Sequence, residues 1–371
     1  MNKHTELLHT PEGVRDTYGR EYAGYLKYTE QIHRQFMLYG YEDIKTPVFE
    51  FFDVFASGIG TTSSKELYKF FDKEGNTLVL RPDFTPSVAR CAAKYFAEET
   101  QPLRFCYSGS AFSNRSVLQG RLNESTQMGA ELIGDDSVQG DAEMLALLID
   151  SLKSVGLSEF QISVGNAEYF KGLCEDAGLD GKTEEQLRDM ISGKNYFAAE
   201  QLLTEAGISL ENQKLFLKTS EFMESEEELK AVLLSTDNER SKAAIRRLID
   251  LLNLLKLYGM DSYVSVDLSL LSKYHYYTGV IFKAFTYGVG EAVASGGRYD
   301  RLLSCFGKDS AAIGFMIPID ILVSALYGQH LFDKPKKEVL RLTYNENNYG
   351  QVLRQALEAR KKGICTELVR E

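Results

Sequence analysis

The sequence has a deficit of positive charge. It contains 42 Lys and Arg residues against 53 Asp and Glu residues, which gives a formal net charge of −11 and a pI of about 5.2. A protein that holds nucleic acid by its phosphate backbone needs clustered Lys and Arg side chains. The composition therefore argues against a broad nucleic-acid interface, and it leaves room only for a small local basic site.

Cysteine is scarce as well. The five cysteines lie far apart, form no C-x-x-C pair and have no nearby His partner in the sequence: Cys91, Cys106, Cys174, Cys305 and Cys365. An odd, scattered set is typical of reduced thiols in a cytosolic protein. We therefore predict no disulfide framework and no metal site.

The chain also lacks an uninterrupted apolar run. The N-terminal segment MNKHTELLHTPEGVRD has no apolar core of the kind that signal peptides carry. Residues 311–328, AAIGFMIPIDILVSALYG, are barely long enough to span a membrane and contain Pro318 and Asp320. We expect a buried strand followed by a packed helix there, in a cytoplasmic protein.

Helix-like and strand-like segments alternate in the first third of the chain. Residues 22–39 have apolar side chains at helical spacing, whereas residues 69–81, KFFDKEGNTLVLR, predict a β-hairpin. Further strand-like runs follow, several joined by short turns. This order predicts an α+β fold with an antiparallel sheet and helices on one side.

Two segments differ from this pattern. Residues 168–258 contain no proline and have helical periodicity, so we interpret them as a helical insertion. The alternative is that they form the helical layer of the domain itself. After the basic linker KPKKE, the last 35 or so residues predict a βαβ unit, which is too small to bury a core alone. The predicted boundaries are 1–330 for the core and 331–371 for this C-terminal unit.

The segment LRPDFTPSVAR, residues 80–90, predicts a strand, a turn at Pro82 and the start of a helix. Thr85 is expected at the N-cap, with Pro86 at the first helical position. Asp83 would then present a carboxylate from a rigid turn. The alternative is that Asp83 only complements the helix dipole.

Residues 107–134 predict a strand, a long polar loop and a returning strand. On the returning strand Gln127, Gly129 and Glu131 share one face, because side chains alternate with a period of two. A Gln beside a Glu can bind a ligand ammonium group or an imidazole nitrogen. The alternative is a solvated face of the sheet.

Two further segments are rich in aromatic residues or glycine. Residues 272–279, SKYHYYTG, suit a small-molecule pocket, or equally the edge of a strand in the core. In residues 294–303, ASGGRYDRLL, Gly296 and Gly297 permit another group to approach the backbone closely.

In this order the four segments resemble the catalytic core of histidyl-tRNA synthetases, a family of class II aminoacyl-tRNA synthetases, over about residues 11–325. TPEGVRD resembles the opening segment of that family, YGYEDIKTPVFE its dimer-forming first motif and YHYYTGVIF its histidine-recognising segment. The resemblance implies a class II synthetase-like antiparallel sheet flanked by helices, and a dimer.

The chain departs from that family at the positions of its catalytic arginines. The second motif normally has an arginine where this chain has Ser113, and the histidine-specific segment normally begins with an arginine where it has Ser272. The third motif normally ends in a Glu–Arg pair, which is replaced here by Asp320 and Ile321. His275 also replaces an aspartate. Losing one charge-stabilising donor costs about 2.7–4 kcal/mol of barrier, so we expect negligible adenylation and no catalytic residues.

The amino-acid half of the pocket is better retained. The residues that match histidine-binding positions are Asp83 (in place of the usual glutamate), Thr85, Gln127, Glu131, Tyr276 and Tyr277, together with Arg121, whose role in the family lies towards ATP. The short tail stands where the family has a full anticodon-binding domain, so tRNA is not expected as a partner. This combination implies binding of histidine without its activation.

The closer resemblance is to the family of ATP phosphoribosyltransferase regulatory subunits, above all in LRPDFTPSVAR, AELIG and YHYYTGVIF. That family implies a hetero-octamer with a short catalytic subunit, which the synthetase-like chain activates and helps histidine to inhibit in the first step of histidine biosynthesis. No cofactor is implied for the regulatory chain itself. The alternatives are an active histidyl-tRNA synthetase, or another synthetase-like protein such as an amino-acid ligase.

Overall fold

A computed structural model describes residues 8–55, 62–114, 122–219, 222–223, 225–271, 277–333 and 338–371. The chain divides into two compact units. The larger unit comprises the described residues within 1–16 and 27–332, and the smaller comprises 17–26 together with the described residues within 333–371.

The elements follow one another in a mixed order of helix and strand. In chain order the α-helices are α1 Gly19–Leu38, α2 Thr85–Tyr95, α3 Val138–Ser154, α4 Ala167–Asp176, α5 Gly181–Ser192, α6 Tyr196–Glu205, α7 Leu210–Lys218, α8 Glu226–Ser235, α9 Glu239–Tyr258, α10 Ile319–Gly328 and α11 Tyr349–Lys361. The strands are β1 Glu42–Asp43, β2 Phe49–Phe51, β3 Lys69–Phe71, β4 Thr77–Leu80, β5 Leu103–Phe112, β6 Glu124–Ile133, β7 Phe160–Asn166, β8 Phe222–Met223, β9 Val264–Asp267, β10 Val280–Thr286, β11 Ala294–Arg298, β12 Ala312–Pro318, β13 Leu340–Tyr344 and β14 Thr366–Arg370.

The larger unit is built on a nine-stranded sheet in the order β1-β5-β6-β12-β11-β10-β7-β9-β8. Its six central strands, from β5 to β7 in that order, all pair antiparallel, as the sequence predicts. The whole sheet is nevertheless mixed, because β1 pairs parallel to β5 and β7 parallel to β9. Parallel strands are joined by a long crossover connection, so they are distant in the sequence. The pairs β1–β5 and β7–β9 are therefore visible only in the structure.

The predicted hairpin forms part of a separate three-stranded sheet, β2-β4-β3. β3 and β4 pair antiparallel, with Phe70 opposite Leu78. The turn is held by the Asp72 carboxylate, which accepts hydrogen bonds from the backbone N–H groups of Glu74 and Asn76. Gly75 has a φ of 87°, a conformation that favours glycine.

The apolar run of residues 311–328 folds as expected into a strand followed by a helix. β12 lies between β6 and β11 in the sheet, and α10 begins directly after Pro318. Within the described ranges, no helix is both long and apolar enough to cross a membrane.

Helices dominate residues 167–258. Each of the six helices that the structure describes in this range begins after a residue whose side chain accepts a hydrogen bond from a backbone N–H of the first turn: Asn166, Asp180, Asn195, Ser209, Ser225 and Asn238. The longest, α9, ends at Gly259, which has a φ of 67°. Its apolar side is buried, for example at Ile245, Leu248 and Leu255.

The smaller unit contains the predicted βαβ arrangement. β13 and β14 pair parallel, with Leu342 opposite Leu368, and α11 connects them. Ala356 of α11 is fully buried, whereas Leu357 is 47% exposed.

Candidate functional site

A cavity of about 810 Å³ lies within the larger unit. Five of the seven residues predicted to bind histidine line it: Asp83, Thr85, Gln127, Glu131 and Tyr277. Arg121 and Tyr276 lie outside the described residues, as do Ser272 and His275. The five side chains therefore come together, and their role in binding stays a prediction.

Strand β6 carries two of these side chains. Gln127 and Glu131 both face the cavity and are 7% and 1% exposed, and Oε1 of Gln127 is buried without a hydrogen-bond partner among the described residues. The observed location excludes the solvated-face alternative, because both side chains are buried. Met128 and Ala130 of the other face are buried in the core.

The Glu131 carboxylate is held by three hydroxyl groups. Thr85 donates a hydrogen bond to Oε1 (2.8 Å), Tyr299 donates to Oε2 (2.5 Å), and Tyr107 lies 3.5 Å from Oε1. Burial raises the pKa of Glu131 to about 7, although these hydrogen bonds oppose the rise and the charge of Asp83 adds to it. Glu131 is thus a fixed acceptor whose charge is poorly solvated.

The N-cap prediction for Thr85 is wrong. Helix α2 begins at Thr85 itself, its N-cap residue is Phe84, and no side chain caps it. The Thr85 hydroxyl bonds to Glu131 instead of the helix backbone. Pro86 does lie in the first turn, as expected.

Asp83 is the second buried carboxylate of the cavity. Neither of its oxygens makes a hydrogen bond of normal geometry within the described part of the chain. Burial raises the pKa of Asp83 to about 7, and the backbone N–H of Thr85 opposes only part of that rise. A buried carboxylate without a partner is costly, so a ligand cation in the cavity would relieve this cost.

Glycines on three strands make room for these side chains. A Cβ on Gly129 would lie 2.4 Å from the Tyr107 hydroxyl, and one on Gly297 would lie 2.6 Å from the Tyr277 ring. A Cβ on Gly314 would come within 1.6 Å of Oε2 of Glu131. The close approach of a side chain to Gly297 agrees with the sequence prediction. Gly129 on β6 and Gly314 on β12 permit close approaches of the same kind.

Tyr107 and Tyr299 are residues of the site that the sequence analysis missed. Tyr107 stands opposite Gly129 in the β5–β6 register, and that small partner is the signal for its position. Its ring stacks on Phe84 at 4.3 Å, and the Arg81 guanidinium lies 3.8 Å above the other side of Phe84. Arg81 is fixed in turn by hydrogen bonds to the carbonyl groups of Thr46 and Ser110.

The rest of the cavity has acidic, basic and neutral side chains. Ser113 and Ile321, which by the family pattern stand where synthetases have arginines, line it together with Asp320 and the histidine-site residues. Asp320 accepts a hydrogen bond from the backbone N–H of Thr126 at 2.9 Å. Among the described lining residues, the cationic side chains are Arg15 and Lys283, and the acidic ones are Asp83, Glu131, Glu291 and Asp320.

One group of possible metal ligands lies outside the cavity. His33, Asp43 and Cys106 offer ligand atoms within 4.8 Å of one another. Nε2 of His33 lies 2.9 Å from the Asp43 carboxylate, and the Cys106 thiol points at the same carboxylate from 3.7 Å. Sequence spacing does not reveal this group because its members lie on α1, β1 and β5. Hydrogen bonding accounts for its geometry.

Comparison with known proteins decides the family. The family model for histidyl-tRNA synthetase matches residues 13–322. The chain is 38% identical over 362 residues to the ATP phosphoribosyltransferase regulatory subunit of Acetivibrio thermocellus, covering 97% of this chain and 86% of that protein. The chain belongs to the family of ATP phosphoribosyltransferase regulatory subunits. The corresponding protein of Thermoanaerobacter pseudethanolicus is 34% identical, with 98% and 94% covered.

Solved structures agree with this membership of the regulatory-subunit family. A Bacillus halodurans protein described as an ATP phosphoribosyltransferase regulatory subunit/histidyl-tRNA synthetase superposes with a TM-score of 0.89 at 29% identity, covering 98% of this chain and 93% of that one. The histidyl-tRNA synthetase of Nostoc sp. PCC 7120 reaches a TM-score of 0.81 at 19% identity, with 98% and 86% covered, and shows the shared fold. The predicted class II synthetase-like fold is confirmed.

Proposed function

We propose that the chain activates a separate, short catalytic subunit of ATP phosphoribosyltransferase and binds histidine as the feedback effector of the first step of histidine biosynthesis. One observation carries the proposal. A single cavity retains Asp83 and Glu131 as buried carboxylates but has Ser113 and Ile321 where, by the family pattern, synthetases carry arginines that hold ATP.

The amino-acid half of the cavity suits histidine chemically. The Asp83 carboxylate lacks a partner among the described residues and would accept an α-ammonium group. Glu131 and Gln127 lie on one face of β6, where they would bind the imidazole nitrogens. Tyr277, and by the family pattern Tyr276, would contact the ring, and the family pattern adds Arg121 to the residues that bind the ligand.

The same cavity is unsuited to aminoacylation. Adenylation of an amino acid builds negative charge at the reacting phosphate, and enzymes stabilise it with fixed cationic donors. By the family pattern Ser113 and Ile321 stand where synthetases have arginines, so the cavity lacks two of these donors. We infer that the chain binds histidine without activating it and has no catalytic activity of its own.

The remaining features of the assembly are also proposals. We expect a dimer of this chain within a hetero-octamer, located in the cytoplasm and without tRNA as a partner. We expect residues 1–330 to act as the synthetase-like domain, with residues 168–258 inserted into it and residues 331–371 as a separate unit. Feedback of this kind needs two states of the assembly with unequal affinity for histidine. A coupling of roughly 1–3 kcal/mol changes affinity about 5- to 150-fold, which is sufficient.

The test compares binding with activation on the same purified chain. Titration calorimetry measures histidine binding, and histidine-dependent exchange of pyrophosphate into ATP measures adenylation. The proposal expects binding without exchange. Exchange above the background of a chain-free control would identify a synthetase, and absence of histidine binding would refute the effector role.

A further inference from the structure

A buried ion-pair network lies behind the cavity, centred on Asp141 of α3. Asp141 is 0% exposed. Its Oδ1 accepts hydrogen bonds from Nη2 and Nε of Arg298, at 2.6 and 3.0 Å, and its Oδ2 accepts one from Nε of Arg247, at 2.6 Å. A buried carboxylate needs such partners, because leaving it unpaired is strongly destabilising.

Arg298 extends this network to two tyrosines of the cavity, Tyr277 and Tyr299. Its Nη1 donates to Oδ1 of Asp300 at 3.0 Å, and Oδ2 of Asp300 accepts a hydrogen bond from the Thr278 hydroxyl at 2.9 Å. The backbone N–H of Thr278 also donates to the carbonyl of Arg298 at 2.8 Å. Thr278 directly follows Tyr277, and Tyr299 lies between Arg298 and Asp300. The network therefore fixes the backbone next to both tyrosine side chains.

Arg247 attaches helix α9 to the same network. Besides its bond to Asp141, its Nη2 donates to the carbonyl of Asp136 at 2.8 Å. Nη1 of Arg298 donates to the carbonyl of Asp135, the preceding residue, at 2.9 Å. Asp135 and Asp136 lie in the loop that follows β6, the strand that carries Gln127 and Glu131. Arg247 is 28% exposed, so it lies nearer the surface than Arg298 and Asp141.

We propose that Asp141, Arg298 and Asp300 are positioning residues for Tyr277 and Tyr299, and that Arg247 links their arrangement to α9, so that histidine in the cavity stabilises this helix. The inference rests on the proposed function, since it requires histidine to bind in the cavity. A ligand that restricts the motion of the two tyrosines also restricts Thr278, Asp300 and Arg298, because hydrogen bonds join these residues. The effect reaches α9 through Asp141 and Arg247, and it gives the regulatory subunit a route from the cavity to its helical segment.

The test measures amide hydrogen exchange of the purified full chain with and without histidine. In the wild type, histidine is expected to slow exchange in α9 by about threefold or more, as well as in β6 and β11. In Arg247→Gln, histidine binds with a Kd within about threefold of wild type and still protects the two strands, but the effect on α9 is lost. Arg246→Gln is the matched control, because Arg246 is 54% exposed and pairs with Glu239. It should behave as the wild type does.

The positioning role has a second readout. Asp300→Asn loses the charged partner of Arg298 and Thr278, and its Kd for histidine should rise about 5- to 10-fold. An unchanged Kd in Asp300→Asn would overturn the positioning role. Protection of α9 that persists in Arg247→Gln, or that is absent from a wild type whose strands are protected, would overturn the link to α9. Calorimetry that detects no binding to the wild type would instead refute the proposed function.

Discussion

At the scale of single residues, the two cavity carboxylates have different surroundings. Glu131 is held by Thr85, Tyr107 and Tyr299, so it is already oriented before any ligand arrives. Asp83 is buried without such support among the described residues. We infer that Glu131 determines which ligand fits, and that Asp83 contributes affinity for the positive charge of the ligand.

Replacement of a cavity side chain should therefore separate histidine sensing from activation. In Glu131→Ala, the histidine concentration for half-inhibition should rise roughly 10- to 150-fold, the effect of a lost hydrogen bond to a charged group. It should also rise in Tyr277→Ala, which removes the contact with the imidazole ring. Stimulation of the catalytic subunit without histidine should be unchanged. Glu124→Ala is the control, because Glu124 is exposed at the start of the same strand. Normal inhibition in both cavity variants would place the effector site elsewhere.

The raised pKa of Asp83 predicts a pH-dependent stability. In the folded chain the Asp83 carboxyl keeps its proton up to a pH of about 7, whereas in the unfolded chain it loses the proton near its ordinary pKa of 3.8. Stability contributed by the protonated form is therefore lost as the pH rises from about 4 to 7. Asp83→Asn has no carboxyl to ionise and so removes this loss. Without histidine, the substitution should raise the melting temperature by about 3–6 °C at pH 8. At pH 5 the increase should be less than half as large.

Thermal unfolding at the two pH values checks this expectation. The asparagine variant should also bind histidine more weakly than the wild type, since it lacks the negative charge. An equal change in melting temperature at pH 5 and pH 8 would mean that Asp83 is ionised in the folded chain at both.

At the scale of elements, the cavity depends on strands that approach closely. Gly129, Gly297 and Gly314 leave space that Tyr107, Tyr277 and Glu131 fill. A side chain at any of the three would have to displace a group of the site. The glycines therefore determine the shape of the cavity as much as its polar residues do.

Gly314→Ala should distort this arrangement most, because its Cβ would lie 1.6 Å from Oε2 of Glu131. We expect a loss of about 1–3 kcal/mol in the free energy of unfolding, with weaker histidine binding. Gly181→Ala is the matched control: Gly181 opens helix α5, and a Cβ there meets nothing within 4 Å. Urea unfolding of both variants measures the difference, and equal stability would contradict the geometry.

Much of this element structure is predictable from the sequence. The hairpin of β3 and β4, the helices of residues 167–258 and the βαβ unit all follow from side-chain periodicity and turn or capping residues. The parallel pairings of β1 and β9 do not, since they depend on which distant strands become neighbours.

The site was predicted less completely for the same reason. Period-two alternation placed Gln127 and Glu131 on one face, whereas Tyr107 and Tyr299 reach Glu131 from strand β5 and from the residue after β11. Their roles depend on strand register. Local capping preferences predict Thr85 at the N-cap, but its hydroxyl donates a tertiary hydrogen bond to Glu131 instead of capping the helix.

At the scale of the whole molecule, the chain has the fold of a histidyl-tRNA synthetase and the family membership of a regulatory subunit. The two agree if the fold has kept an amino-acid cavity and lost the chemistry of activation. Ser113 and Ile321 line that cavity and carry none of the positive charge that adenylation requires.

Restoring arginines should not readily restore activity. The double variant Ser113→Arg with Ile321→Arg returns two cationic groups, but Ser272 remains where synthetases have a third arginine. We expect histidine-dependent pyrophosphate exchange to stay at background in both the wild type and this variant. Measurable exchange in the wild type would contradict the loss of activation.

The most direct measurement is the rate of phosphoribosyl-ATP formation by the cognate short catalytic subunit, with and without this chain, at zero and at saturating histidine. The regulatory account predicts that the chain increases the rate and that histidine suppresses the increase. An unchanged rate on adding the chain, with the catalytic subunit shown to be active, would contradict it.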